Sequence, residues 1–117
     1  MRYLLLIQKN EAAWRALSDA EREAWMKRYA DYGKRMIDAG IMRAGAILEH
    51  TDTATTVRMR EGKRLLTDGP FAETSEQVAG LCVIEAADLD EALRWAAGHP
   101  DADWGSVEVR PVRWPTS

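Results

Sequence analysis

Two stretches of helical periodicity, each opened by a capping residue and closed by a glycine, divide this chain into strand-like runs in a fixed order. Ser18-Asp19-Ala20-Glu21 is a capping box, in which the serine and the glutamate three residues on each satisfy a backbone amide that the first helical turn leaves free. After it Trp25, Tyr29, Tyr32, Met36 and Ile37 recur at three- to four-residue steps as one apolar stripe. Gly40 follows, suited to the left-handed backbone that often ends a helix. Asp88-Leu89-Asp90-Glu91 opens a second helix with Leu89, Ala92, Leu93 and Ala96 on one face, and Gly98 and Pro100 close it.

The runs between these helices read as strands. Residues 3–7 (YLLLI) are apolar on both faces, as in a central buried strand, and residues 10–17 suit a short helical turn. Residues 42–48 form a second strand, in which Gly45 marks a bulge or a close backbone approach. Residues 55–60 and 63–67 flank Glu61-Gly62, the pattern of a tight hairpin. Residues 78–86 (VAGLCVIEA) form a buried strand, and residues 106–112 (SVEVRPV) alternate cleanly as the last one. Without the hairpin the order is βαββαβ. The expected fold is therefore α+β and ferredoxin-like, with an inserted hairpin, in one domain over residues 1–117. Two helices cover one face of such a sheet. The other face is left to find a partner, and a homodimer is the simplest way to cover it.

Composition narrows the function. The chain is 46% hydrophobic and 30% charged, an ordinary globular balance. A net charge of -3 argues against nucleic acid as the main partner, because phosphate binding needs a basic surface. The lone Cys82 has no partner for an internal disulfide, and no Cys/His spacing predicts a metal site. Glycine-rich nucleotide loops are absent, so no cofactor is expected. The N-terminal apolar run is too short for a signal peptide or a membrane span, which makes the cytoplasm the expected location. Of the five tryptophans, Trp14, Trp25, Trp95, Trp104 and Trp114, the last is the best candidate for an interface anchor.

Residues 67–80 (TDGPFAETSEQVAG) carry the most distinctive local chemistry. Asp68 can bond the backbone two residues on, Gly69 supplies unusual dihedrals, Pro70 fixes the next one, and Phe71 is expected to pack down. This stretch, with RYLLLI, ATTVRMREGKRLLTDGPF, DLDEALRWAA and GSVEVRPV, closely resembles the DGPF-domain proteins of the YCII-related family over nearly the whole chain. The resemblance implies a dimeric α/β-barrel arrangement, with two sheets facing each other across the dimer. It implies no single activity. A histidine-aspartate pair is the proposed catalytic element in part of the family, and DGPF members are often encoded beside extracytoplasmic-function sigma factors. Where the catalytic branch carries its histidine on the first helix, this chain has Tyr29, and no histidine lies on that helix.

Tyr29 and Asp68 are accordingly the expected acid–base pair, and Asp68, Phe71, Glu73, Glu108 and Arg110 the expected rim of a ligand cleft between the sheets. Each has a plainer reading. Asp68 can be only a turn former. Glu73 and Glu76 are either a solvated acidic surface or, if residues 73–77 make a helical turn, a paired-carboxylate site. Glu108 and Arg110 either pair with each other across the dimer or bind a polar ligand. His50 is a loop residue or a replacement base, His99 a partner of the helix dipole, and Cys82 a buried inert thiol. The function these residues favour is a homodimeric small-molecule-binding module. The alternatives are a cofactor-independent lyase, isomerase or hydrolase acting on a small polar or aromatic compound, and a protein partner in a sigma-factor system.

Overall fold

The computed structural model describes residues 1–113, so Trp114 lies outside the described residues. The chain runs β1 (Arg2–Lys9), α1 (Glu11–Ala16), α2 (Asp19–Asp38), β2 (Met42–Ile47), β3 (Thr55–Arg60), β4 (Lys63–Asp68), β5 (Gln77–Glu85), α3 (Leu89–Gly98) and β6 (Ser106–Pro111). Short 3-10 turns cover Thr51–Thr53 and Pro100–Asp103. β2, β5, β1 and β6 form one antiparallel sheet in that order, while β3 and β4 pair only with each other. This is the ferredoxin-like α+β fold with a hairpin inserted between β2 and β5.

The caps act as their chemistry predicts. Ser18 and Glu21 complete the capping box of α2, Asp88 accepts from the Glu91 amide, and Asn10 accepts from the Ala13 amide to start α1. Gly40 takes a left-handed φ of 73° just past α2. The sheet irregularity expected at Gly45 falls instead between Met42 and Ala44, where the register with β5 shifts.

Period-two alternation puts Tyr3, Leu5, Cys82 and Ile84 under the helices, where they meet Tyr32 and Met36 of α2 and Ala92 and Ala96 of α3. Small alanines on α3 let it lie close to the sheet. Gly105, just before β6, sits so near β1 that an added Cβ would stand 2.1 Å from the Gln8 carbonyl oxygen. The opposite face of the sheet carries Leu4, Leu6, Leu81, Val83, Glu108 and Arg110 in register. Neither helix covers it.

The β3–β4 hairpin packs chiefly against itself. Val57 and Leu66, opposite each other on one of its faces, are 56% and 57% exposed. The radius of gyration is 16.1 Å, against about 13 Å for a compact chain of this length.

Candidate functional site

β1 ends on the site. The alternation that buries Tyr3 and Leu5 continues to Lys9, so the sheet turns a charged residue toward the helix side. Lys9 is only 9% exposed, and burial of an ammonium requires compensation. Two aromatic faces supply part of it, with Nζ 4.1 Å from the Trp14 ring centroid and 4.6 Å from that of Tyr29. The rest is polar. Nζ donates to the Tyr29 hydroxyl at 3.1 Å and lies 3.7 Å from Asp101 Oδ2.

Asp101 sits on the 3-10 turn after α3 and is 2% exposed. Its Oδ1 accepts from the Tyr29 hydroxyl and, at 2.9 Å, from Trp104 Nε1. Its amide donates to His99 Nδ1 at 3.0 Å. Trp25 stacks on Trp104 at 4.9 Å and seals the outer side of the cluster. Residues 9, 29 and 101, from β1, α2 and the turn after α3, thus form one hydrogen-bonded unit.

Burial shapes the protonation of each member. It pushes the Tyr29 hydroxyl far above its ordinary range, and the Asp101 carboxylate pushes in the same direction. It draws Lys9 below the usual lysine value, a pull that outweighs the opposing effect of Asp101. It also lowers His99, which fits a neutral ring accepting through Nδ1. His99 therefore acts as a hydrogen-bond acceptor rather than as the cation expected at the helix end.

A cavity of about 670 Å³ opens from the cluster on the helix side of the sheet. Ile7, Met26, Met36 and Met42 give it apolar walls, and Lys9, Tyr29 and Asp101 reach into it. A second cavity, of about 690 Å³, lies under the DGPF segment, lined by Gln8, Pro70, Phe71 and Glu76 among others. The short stretch Leu48, Glu49 and His50 borders both cavities. Glu11 holds that stretch in place: its buried carboxylate accepts from the Thr51 amide and hydroxyl at 2.9 and 2.6 Å, while its own amide donates to Gln77.

The residues singled out in the sequence fall in different places. Tyr29 is in the buried cluster, where its hydroxyl partners are Lys9 and Asp101. Asp68 is exposed at the end of β4, opposite Thr55, and its carboxylate makes no hydrogen bond among the described residues. Phe71 does not pack down. It is 82% exposed, with the Arg58 guanidinium 5.8 Å from its ring centroid. Residues 73–77 form no helical turn, and the two glutamates do not share a site: Glu73 is exposed, while Glu76 accepts from Ser106 Oγ at 2.7 Å. Glu108 and Arg110 bond each other along one strand, with Nε 2.9 Å from Oε2. Cys82 is buried and its thiol is pushed up to about 11, which suppresses the thiolate. Among the described residues, no cluster of three or more His, Cys, Asp or Glu side chains is arranged to hold a metal ion.

Sequence reasoning missed Lys9 and Asp101. Lys9 left a trace, since it continues the odd-numbered positions that β1 buries. Asp101, inside the acidic run PDAD, looks like any solvated loop residue.

Comparison with known proteins agrees with the fold. No helix among the described residues is long and apolar enough to cross a membrane. The solved structure of 5-chloro-2-hydroxyhydroquinone dehydrochlorinase from Burkholderia phenoliruptrix, in complex with 2,5-dihydroxybenzoquinone, superposes with a TM-score of 0.56 at 11% identity, over 97% of this chain and 94% of that one. At that identity the likeness bears on the fold alone. An uncharacterised protein of Rhizobium meliloti is 38% identical over 114 residues, covering 96% of this chain and 92% of that protein. The model of the YCII-related domain matches residues 1–115, and the chain belongs to that family.

Proposed function

We propose that the protein is a homodimeric small-molecule-binding module whose ligand occupies the cavity between α2 and the sheet. One observation carries this reading: a buried lysine, anchored by Tyr29 and Asp101, ends in an apolar cavity of about 670 Å³. A pocket of that size suits a compact ring compound. The apolar walls take the ring, and of the three Lys9 ammonium protons one goes to Tyr29, one lies toward Asp101 and the third is available to a ligand oxygen. The dehydrochlorinase that shares the fold was solved with a dihydroxybenzoquinone, a ligand of this type.

Titration with 2,5-dihydroxybenzoquinone and with hydroquinone, read by fluorescence of Trp14, Trp25 and Trp104 around the cluster, tests the proposal. Saturable binding is expected. Lys9→Met should weaken it about tenfold or more, the scale of a hydrogen bond to a charged donor. Absence of saturation with both probes, or binding that ignores Lys9→Met, would overturn the reading.

The surfaces left uncovered support dimerisation. An isolated two-stranded hairpin is marginal in water, so the β3–β4 arm, with Val57 and Leu66 half exposed, gains stability by packing on a second copy. Charge favours the same partner. The arm carries Arg58, Arg60, Lys63 and Arg64 on a chain whose net charge is -3. In the dimer, the DGPF cavity and the open sheet face would bring Asp68, Phe71, Glu73, Glu108 and Arg110 to a second ligand-binding cleft. Light scattering at micromolar concentration should report a dimer that Leu66→Glu dissociates, and a monomeric parent protein would refute this part. The second reading is an enzyme without a cofactor, with Tyr29 as one of the catalytic groups. It is favoured by the polarised unit Lys9–Tyr29–Asp101. Composition alone supports the cytoplasm as the location.

A further inference from the structure

We infer that Lys9 is a covalent, imine-forming lysine and that the cavity above it admits small aromatic or apolar aldehydes and ketones. The inference rests on the reading of that cavity as a ligand site and adds the chemistry of the ligand. Lys9 is the only one of the four lysines held away from water. Lys27 and Lys34 pair with Asp31 and Asp38 on the surface of α2, and Lys63 is exposed on the hairpin. A lysine becomes a nucleophile when its surroundings favour the neutral amine, and removal from water does this at Lys9, against the pull of the two ring faces and of Asp101 toward the ammonium.

The hydrogen bonds supply a route for the proton. Lys9 Nζ donates to the Tyr29 oxygen, and the Tyr29 hydroxyl donates to Asp101. One proton moving from Nζ to Tyr29, as the Tyr29 proton moves to Asp101, turns an ammonium–carboxylate pair into an amine and a carboxylic acid. The net charge is zero before and after, but no separated charges are left in the dry cluster, where an ion pair is costly to keep. Tyr29 ends as it began, a neutral phenol, in keeping with the upward push that burial gives its hydroxyl.

The transfer leaves the amine lone pair aimed at the Tyr29 hydroxyl, and rotation about the Cε–Nζ bond turns it into the cavity. It attacks the carbonyl carbon, and one N–H proton ends on the carbonyl oxygen to give a carbinolamine. The C–O bond breaks, water leaves with the second N–H proton, and the C=N bond forms. The proton held on Asp101 returns through Tyr29 to the imine nitrogen. Aldehyde and the Lys9 ammonium thus become iminium and water, the proton lent to Asp101 being returned, with no oxidant or reductant consumed. Glu11, the other buried carboxylate lining the cavity, is occupied by Thr51 and is not needed in any step.

Four lysines in one chain make the test internally controlled. The whole protein is treated near neutral pH with 4-hydroxybenzaldehyde and sodium cyanoborohydride, whose hydride reduces the C=N bond to a stable secondary amine. Peptide mass spectrometry then gives the rate at each lysine. Lys9 should react first, about tenfold or more faster than each surface lysine, and hydroquinone should slow Lys9 alone. Tyr29→Phe, which removes the relay hydroxyl, should also slow it. Labelling of Lys9 no faster than that of Lys27, Lys34 and Lys63, or labelling that hydroquinone does not slow, overturns the inference. If Lys9 stays silent while hydroquinone binds saturably, the imine falls and the ligand cavity stands. If neither hydroquinone nor 2,5-dihydroxybenzoquinone binds, both fall.

Discussion

Two cavities among the described residues are nearly equal in volume, about 670 and 690 Å³, and are built in opposite ways. The one above Lys9 gathers polar groups from residues 9, 29, 99 and 101, and the bonds of Lys9 to Tyr29 and of Tyr29 to Asp101 join three separate elements. The one under the DGPF segment draws on a continuous stretch around residues 70–78 and on the loop at residues 48–54. Its most distinctive member, Phe71, is 82% exposed. The difference separates two kinds of information. A sequence signature marks residues that are local and conformationally demanding, such as a turn built on Gly69 at a φ of 103°. A buried polar cluster is assembled by the fold and leaves no contiguous motif.

Substitutions should affect the two regions unequally. The largest loss is expected from Gly105→Ala, because the new Cβ would stand 2.1 Å from the Gln8 backbone and β6 must move away from β1 beside Lys9. Overpacking against backbone costs about 3 kcal/mol or more, so thermal unfolding should shift down by many degrees. Asp101→Ala comes next. It strands the buried Lys9 ammonium and two neutral donors, and losing one partner of a buried pair costs about 3 kcal/mol. The counterpart in the other region, Asp68→Ala, should change stability by no more than about 0.5 kcal/mol, the usual scale for an exposed site. Chemical denaturation of the two variants side by side measures the contrast, and equal losses would mean that the DGPF turn is as structural as the cluster.

The smallest effect concerns pH. His99 has a folded pKa below its ordinary 6.5 because burial disfavours the imidazolium. Between those values the unfolded chain binds more protons than the folded one, so stability drops as pH falls through 6.5 toward the folded value. His99→Asn retains a side-chain acceptor for the Asp101 amide and does not titrate. It should flatten that acid limb without changing stability at pH 8. A limb as steep as in the parent protein would assign the acid sensitivity to other groups.

Most of the fold was legible in the sequence. The capping boxes, the apolar stripe from Trp25 to Ile37, and the period-two runs of β1, β5 and β6 each encode a local structure with its own physical signal. Their order left one arrangement of the sheet. The candidate site was legible only in part. Tyr29 could be singled out on the apolar stripe of the first long helix, at the place where the family resemblance implies a histidine. Lys9 was visible only as a charge at a core-facing position of β1, and Asp101 not at all.

The physical reason lies in what local rules can carry. Caps, turns and periodicity act over a few residues, so the sequence by itself determined the elements and their order, while the exposure of Phe71, which was expected to pack down, was decided by the tertiary structure. Which aspartate among 19 acidic residues meets the one buried lysine depends on how the turn after α3 docks against β1 and α2. The protonation of that pair depends on how much water the docked rings of Trp14, Tyr29 and Trp104 exclude. Desolvation is a property of the assembled core, and only the tertiary structure decided it.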